Sequence, residues 1–523
     1  MPLISLNAGL SRHTKSGLFR LAIATTLSVA TMAFAGPNEL TDDVRALIGK
    51  HKLGQARVGV SLFDLEDGVQ LASVRGAEPF TPASNMKVLT SGAALMTLGA
   101  DFTFKTQLLL DGDRLVLRGD GDPALADAEV LQAMKPKITV DDVIDTLASS
   151  VSKAGVTGVR ELLVDDRVFD RQFTHPNWPQ EQLHLSYCAQ VSGLNFHANV
   201  LSFFPRPNQS GVGLPAAFST EPAAPWLPVT VKAKTVKAGK NSAWITRDSE
   251  ANSFTLRGEV RTSMQAPVDV TLNDSATFFG QVLADAVLKK GVSIAGQPRN
   301  EGGLPQGVRL ATTTDTVSPN ARVLAVVATP ISEVLKRCNT DSANLYAESL
   351  LKRMGNAVTK EPGSWANGAS VLRMTISEKL GPEAAASTTV SDGSGLSRLN
   401  QVSPTTMTRW LSLIARDKRI CDVFTESLAE PGSGTLRKRF DGDKITNKIY
   451  AKSGYIKGVR SLSGYVVNPK TGRRVVFSVL VNDLPSASTI EHTEARKLQE
   501  EIVQLADRWL TKTEKRTAEK LGG

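Results

Sequence analysis

A serine becomes a nucleophile when an amine on the same helix face can take its proton, and residues three apart are neighbours on such a face. Ser84-Asn85-Met86-Lys87 offers that pair. Ser150 with Lys153 and Ser349 with Lys352 satisfy the same spacing, so setting must decide between them. Thr81-Pro82-Ala83 leads Ser84 into an apolar stretch that runs to Leu98, which places the pair on the first turn of a buried helix. There the helix N-terminus favours a developing oxyanion and helps to depress the amine pKa. The lysine must be neutral to act as a base, and burial lowers a lysine pKa by up to several units. Two further triplets carry chemistry. Ser342-Ala343-Asn344 opens an apolar helix and brings a hydroxyl able to relay a proton beside an amide able to orient a ligand. Lys452-Ser453-Gly454 ends a strand-like run; its cation and hydroxyl suit a carboxylate, and its glycine lets an extended substrate lie against the backbone. GxSxG, HExxH and GxxxxGK[ST] are absent and the six histidines show no ligand spacing. That counts against an α/β-hydrolase elbow, a zincin and a P-loop enzyme, and no metal or cofactor is expected.

These residues need elements to hold them. Asn38 to Gly54 reads as a helix opened by Thr41 and Asp42; two strands follow, one from Ala56 and one ending at Gly76, and then the helix Ser84 to Leu98. The middle of the chain changes texture. Alternating runs such as Phe104 to Gly119, Val159 to Asp166 and Ser253 to Val260, split by Gly, Pro and Asp turns, argue for sheet. Helical spacing returns after Ile331, and a hairpin turning at Asn468 to Gly472 precedes a closing helix. The two ends therefore read as one α+β domain, residues 36–104 and 301–510, interrupted by β-rich material at 105–300. That insert is expected to hold two nested units, the inner one at about 131–200. The charged tail 511–523 is expected to be disordered.

The chain has 523 residues, 41% apolar and 22% charged, enough for about three compact units. Its net charge is +9, which suits an anionic ligand without requiring one. Arg12, Lys15 and Arg20 precede the apolar run Leu21 to Phe34, and Ala33-Phe34-Ala35 follows the small-residue pattern of a cleavage site. Residues 1–35 thus read as a secretory signal cut after Ala35, with no stable membrane insertion. Export also argues against a nucleic-acid partner. Cys188, Cys338 and Cys421 form no disulfide framework and read as small buried apolar residues; whether Cys188 and Cys338 meet is left open.

Together, SxxK, SxN and K[ST]G resemble the trio of the penicillin-recognising serine enzymes. The long detour between Ser84 and Ser342 is similar to that of the D-alanyl-D-alanine carboxypeptidase/endopeptidases of the penicillin-binding protein 4 type, the peptidase S13 family. Gly119-Asp120-Gly121-Asp122-Pro123 resembles that family's GGGDP turn, and Leu163-Val164-Asp165-Asp166 its strand-ending acidic pair. Val191 to Asn195 resembles its VSALN-like segment, and Asp392 to Arg398 (DGSGLSR) its signature. The resemblance implies a β-lactamase/transpeptidase-like domain, an antiparallel sheet flanked by helices plus a helical subdomain, carrying a large insert. It implies Ser84 as nucleophile, Lys87 as base and Ser342 as proton relay. Asn344 would hold the acyl-side amide and the lysine, and Lys452 and Ser453 the terminal carboxylate. Gly454 would give the substrate room beside the strand, and the N–H groups of Ser84 and Tyr455 would form the oxyanion hole. Arg398 would meet a stem-peptide carboxylate, while Glu181 and Tyr187, near Trp178, would reach in from the insert towards an amino group. Peptidoglycan peptides and β-lactam antibiotics are the implied ligands, the periplasm is the implied compartment, and a homodimer is admitted. Three letters depart from the usual pattern: Ala343 in place of Asp, Ser453 in place of Thr, and Tyr455 in place of a small residue. The competing readings are a catalytically inactive wall-binding module and a β-lactamase.

Overall fold

The computed structural model describes residues 3–4, 39–248, 250–295, 307–442, 444–485 and 489–522. Helix α1 is Thr41–Lys50, shorter than the span read from sequence. Thr41 does not cap it; its hydroxyl accepts the Ser73 N–H at 3.2 Å and ties the helix to the sheet. Strands β1 (Arg57–Asp64) and β2 (Val69–Val74) pair antiparallel. A 3-10 turn, Ala83–Asn85, then feeds helix α2, Met86–Leu98. Ten residues of α2 are buried, as expected of a helix that is apolar all round and surrounded by protein.

Strands β3 (Thr103–Asp111) and β4 (Arg114–Arg118) form a hairpin. Helix α3 (Val140–Lys153) crosses over to β5 (Glu161–Asp165), which runs parallel to β4. Helix α4 (Ser275–Lys289) leads to β6 (Val308–Leu310), parallel to β5. The sheet closes with β7 (Arg322–Pro330), antiparallel to β3. Four expectations are corrected here. The inserted segment is not simply β-rich, because parallel neighbours need crossover connections, usually helical, and α3 and α4 supply them. It extends past residue 300, because β7 completes the sheet begun by β3. The inner unit is not 131–200, whose helix and strand belong to this outer layer; the small three-stranded sheets instead draw on strands between Val200 and Thr271. The fourth concerns the tail. Residues 511–522 are not disordered but continue the last helix, where the Thr511 hydroxyl donates to Asp507 O and accepts from Asn447 Nδ2. The proposed leader, 1–35, lies outside the described residues apart from Leu3–Ile4, which pair with Val327 and Ala328 on β7.

After β7 come α5 (Ile331–Asn339), α6 (Asn344–Thr359), α7 (Trp365–Leu380) and α8 (Pro404–Arg416). Strands β8 (Lys448–Ile456), β9 (Val459–Val467) and β10 (Arg474–Asn482) precede α9, Thr489–Gly522. The sheet order is β8-β9-β10-β1-β2, antiparallel throughout. Alternation along β10 shows how it is sandwiched: Val476 and Leu480 join the core built on α2, α6 and α8, whereas Phe477, Val479 and Val481 join that of α1 and α9. Strand β8 is left at the edge, and it carries the Lys-Ser-Gly triplet. All three cysteines are free and buried, so Cys188 and Cys338 are not bonded to each other.

In the insert, the rings of Phe196 and Phe279 stack with centroids 4.1 Å apart, and both are almost wholly buried. Truncation there leaves a cavity that close-packed neighbours fill only in part. Phe279→Ala is expected to destabilise the protein by about 3–5 kcal/mol, read as a lowered denaturation midpoint.

Candidate active site

The turn bearing Ser84 is held from three sides. Ala83 is fully buried with φ at +47°, a left-handed conformation that costs a non-glycine residue energy and persists only where the surroundings enforce it. Strand β9 supplies part of that enforcement: the Ser461 hydroxyl donates to Pro82 O at 2.6 Å, and Ser463 Oγ accepts from Asn85 Nδ2 at 2.9 Å. Glycines on the other sides allow close approach. A Cβ on Gly395 would collide with Ala83 O, and one on Gly454 would strike Ser461 Oγ and lie 2.9 Å from the Ser84 backbone nitrogen. Edge strand β8 thus runs directly beside the serine.

Lys87 is fully buried, and its Nζ donates to Ser84 Oγ at 3.2 Å, Asn344 Oδ1 at 2.7 Å and Ser394 O at 2.8 Å. Burial brings its pKa down to about 8, against the opposing pull of the Glu348 and Asp392 carboxylates. An amine in that range is partly neutral at ordinary pH and can accept a proton from the hydroxyl it touches. Asn344 meets the lysine as expected, but its Nδ2 donates to Tyr187 O at 2.8 Å, so the amide is anchored to the insert. Ser342 precedes α6 with φ at +65° and lines the same cleft as Ser84.

Two carboxylates stand behind the site; neither was given a role from sequence, although Asp392 opens the DGSGLSR segment. Glu348, fully buried on α6, accepts the N–H groups of Gly393 and Ser394 and the indole N–H of Trp365, each at 2.8 Å. Burial, with Asp392 adding to it, pushes its pKa up to about 7. Asp392 accepts from Gly395 N, Ser397 N, Asn400 Nδ2 and Trp178 Nε1 at 2.6–2.9 Å. Together they fold the DGSG segment so that Ser394 O faces Lys87. The signal for Glu348 was an acid four residues after Asn344 on the same apolar helix face.

The cleft has a volume of about 770 Å³. Ser84, Ser342, Asn344, Arg398 and Tyr455 line it from one side, and Glu181 and Tyr187 reach it from the insert. Glu181 accepts from Gln182 Nε2, and the Tyr187 hydroxyl donates to Gln182 Oε1, so a glutamine joins the two. Arg398 is exposed, with its guanidinium donating to Lys457 O. Lys452 does not open into the cleft. It is fully buried, donates to Ser453 O at 2.7 Å, and has a pKa well below the usual lysine value through burial and the nearby Lys87 charge. Ser453 and Gly454 line a second, smaller cavity, with Tyr455 at the border of the two.

The chain matches the profile of the D-Ala-D-Ala carboxypeptidase 3 (S13) family over residues 40–509. It belongs to that family. It is 30% identical over 505 residues to a D-alanyl-D-alanine carboxypeptidase of Actinomadura sp. (strain R39), covering 90% of this chain and 88% of that one. It is 23% identical over 487 residues to the D-alanyl-D-alanine carboxypeptidase DacB of Haemophilus influenzae, covering 88% and 93% respectively. The crystal structure of penicillin binding protein 4 (dacB) from Haemophilus influenzae shares the fold, with a TM-score of 0.68 at 22% identity over 88% of this chain and 99% of that one. As expected for the fold class, the S13 chain combines helices with antiparallel sheet around the Ser84 turn.

Because Gly454 is packed against both Ser461 and the Ser84 turn, Gly454→Ala must push β8 outward. A stability loss of about 1–3 kcal/mol is expected from such overpacking, measured by chemical denaturation.

Proposed function

We propose that this S13 protein is a serine-type D-alanyl-D-alanine carboxypeptidase and DD-endopeptidase that cleaves peptidoglycan stem peptides and cross-links through an acyl-enzyme. The observation that carries the reading is the fully buried Lys87 amine, 3.2 Å from Ser84 Oγ with a pKa near 8. At pH 7 about one lysine in ten is neutral, and in that form it takes the hydroxyl proton as Ser84 Oγ attacks the carbonyl of the scissile bond. The negative charge that develops on the carbonyl oxygen is met by the N–H groups of Ser84 and Tyr455; the close approach of Gly454 to the Ser84 backbone nitrogen supports this reading. The Ser342 hydroxyl passes its proton to the leaving amine and is reprotonated by Lys87, which thereby returns to its neutral form, and a serine ester remains on Ser84. Water then attacks that ester, with Lys87 as base, and releases the shortened peptide.

Substrate-binding roles follow from what lines the cleft. Asn344 holds Lys87 and presents the insert's Tyr187 loop to the acyl side. Arg398 offers a guanidinium to a stem carboxylate, and Glu181 offers a carboxylate to an amino group. The unpaired edge of β8 past Ala451, whose backbone bridges to Ala429, accepts the peptide as an added strand. A β-lactam, carrying a strained amide and a carboxylate, acylates the same serine. The leader read at residues 1–35 delivers the enzyme to the periplasm, where this substrate lies. No helix among the described residues is long and apolar enough to cross a membrane.

Mass spectrometry after exposure to benzylpenicillin is expected to map one covalent adduct to the peptide containing Ser84, and Ser84→Ala is expected to abolish it. An adduct that persists in Ser84→Ala overturns the assignment. Because the base is the neutral form of a lysine whose pKa is depressed to about 8, the acylation rate is expected to climb ~10-fold per pH unit below that value and to level off above it. Stopped-flow acylation across pH 6 to 10 checks the sign.

A further inference from the structure

The Glu348 carboxylate touches neither the cleft nor the reacting serine, yet it stands one residue away from the base. Its three partners, Gly393 N, Ser394 N and Trp365 Nε1, are all neutral N–H groups. The same Ser394 turns its carbonyl to Lys87 Nζ at 2.8 Å. Helix α2 grips the segment from the opposite side, where the Thr90 hydroxyl donates to Gly393 O at 2.8 Å. There is no slack between the segment and α6: a Cβ on Gly393 would lie 2.7 Å from Ala347 O. The carboxylate, the Ser394 carbonyl and the amine are therefore held in a fixed relation by two helices.

The charges around this pair come from several elements. Asp392 lies in the same segment, Cys338 comes from α5, Lys452 from β8 and Lys352 from the next turn of α6, with His175 of the insert against the Trp365 ring. Burial pushes the Cys338 thiol up to about 12, so it stays neutral and leaves Glu348 and Asp392 as the negative neighbours of Lys87. Lys352, which shares with Ser349 the spacing of the Ser84–Lys87 pair, is occupied elsewhere. Its Nζ donates to Asp170 Oδ1 at 2.7 Å and Gln172 O at 2.8 Å and rests 3.9 Å over the Trp365 ring.

Two fully buried lysines show what a facing carboxylate does. Burial and then the Lys87 charge drive the Lys452 pKa well below the usual lysine value, whereas Lys87, buried to the same degree but facing Glu348 and Asp392, stays at about 8. An amine driven too low is a weak proton acceptor, and a general base works best with its pKa close to the operating pH. We infer that Glu348 is a positioning residue for the catalytic lysine: it holds the Ser394 carbonyl against Lys87 and supplies the negative charge that keeps the buried amine a strong base. This rests on the serine-hydrolase reading and adds the group that tunes its base. Glu348 sits on a helix, so its charge can be removed while the DGSG turn keeps its own sequence.

The test is the pH dependence of benzylpenicillin acylation, followed by stopped flow between pH 6 and 10 in the wild-type protein and in Glu348→Gln, Glu348→Asp and Trp365→Phe. The wild-type rate is expected to reach half of its plateau near pH 8. Glu348→Gln removes a charge that favours the ammonium, so its half-plateau pH is expected to fall by about one unit. At pH 6 that variant then keeps about a tenfold larger fraction of its own plateau than the wild type does. Glu348→Asp retains the charge on a shorter arm; it is expected to bring the half-plateau pH back towards the wild-type value while its plateau rate stays lower. Trp365→Phe deletes one N–H from the carboxylate and raises the carboxylate's own proton affinity. A smaller shift in the same downward direction is expected, and this variant serves if Glu348→Gln does not fold. A half-plateau pH that is unchanged or higher in the folded Gln or Phe variant overturns the inference, as do equal shifts in the Gln and Asp variants. A wild-type protein that benzylpenicillin does not label, or labels at a rate indifferent to pH, overturns the serine-hydrolase reading instead.

Discussion

The structure depends on keeping the amine of Lys87 out of water. Burying an ammonium without partners costs several kcal/mol, so the fold must either pair it, neutralise it or do some of each. It does both. Three oxygens, from Ser84, Asn344 and Ser394, receive the three N–H directions, while burial lowers the pKa towards neutrality. A lysine in this state is satisfied as a cation and available as a base, and the same contact that lowers its burial cost points it at the serine.

Each acceptor comes from a different part of the chain, which explains why the surrounding architecture is so tightly specified. Ser84 requires the left-handed Ala83 and the clamp from β9. Ser394 O requires the DGSG segment, whose amides are gathered by Glu348 and Asp392. Asn344 requires the opening of α6, and its other amide group is tied to Tyr187 of the insert. The insert therefore contributes to the position of the base, besides walling the cleft with Glu181 and Tyr187.

Much of this was legible in the order of residues. Ser84 with Lys87, Ser342 with Asn344, and the Lys-Ser-Gly triplet are short local patterns, and local patterns survive in sequence because helix and strand geometry fix which side chains are neighbours. The buried apolar helix after Ser84 and the last two hairpin strands were legible for the same reason. The insert was less so. Its strands were visible as alternating runs, but α3 and α4 escaped notice, and with them the parallel pairing of β4, β5 and β6 that required crossovers. The end of the insert was missed because β7 is recognised as its closing strand only through its partner β3, distant in the chain.

The order of amino acids alone determined which groups are present to do chemistry: a serine with a lysine one turn on, a hydroxyl and an amide heading a second helix, and a glycine on an edge strand. Only the tertiary structure decided which way the charges face. Lys452 is turned under the cleft, and the Asn344 amide is committed to a backbone carbonyl of the insert. Burial and charge pairing are sums over neighbours brought together from distant segments, and a linear pattern holds no record of those distances.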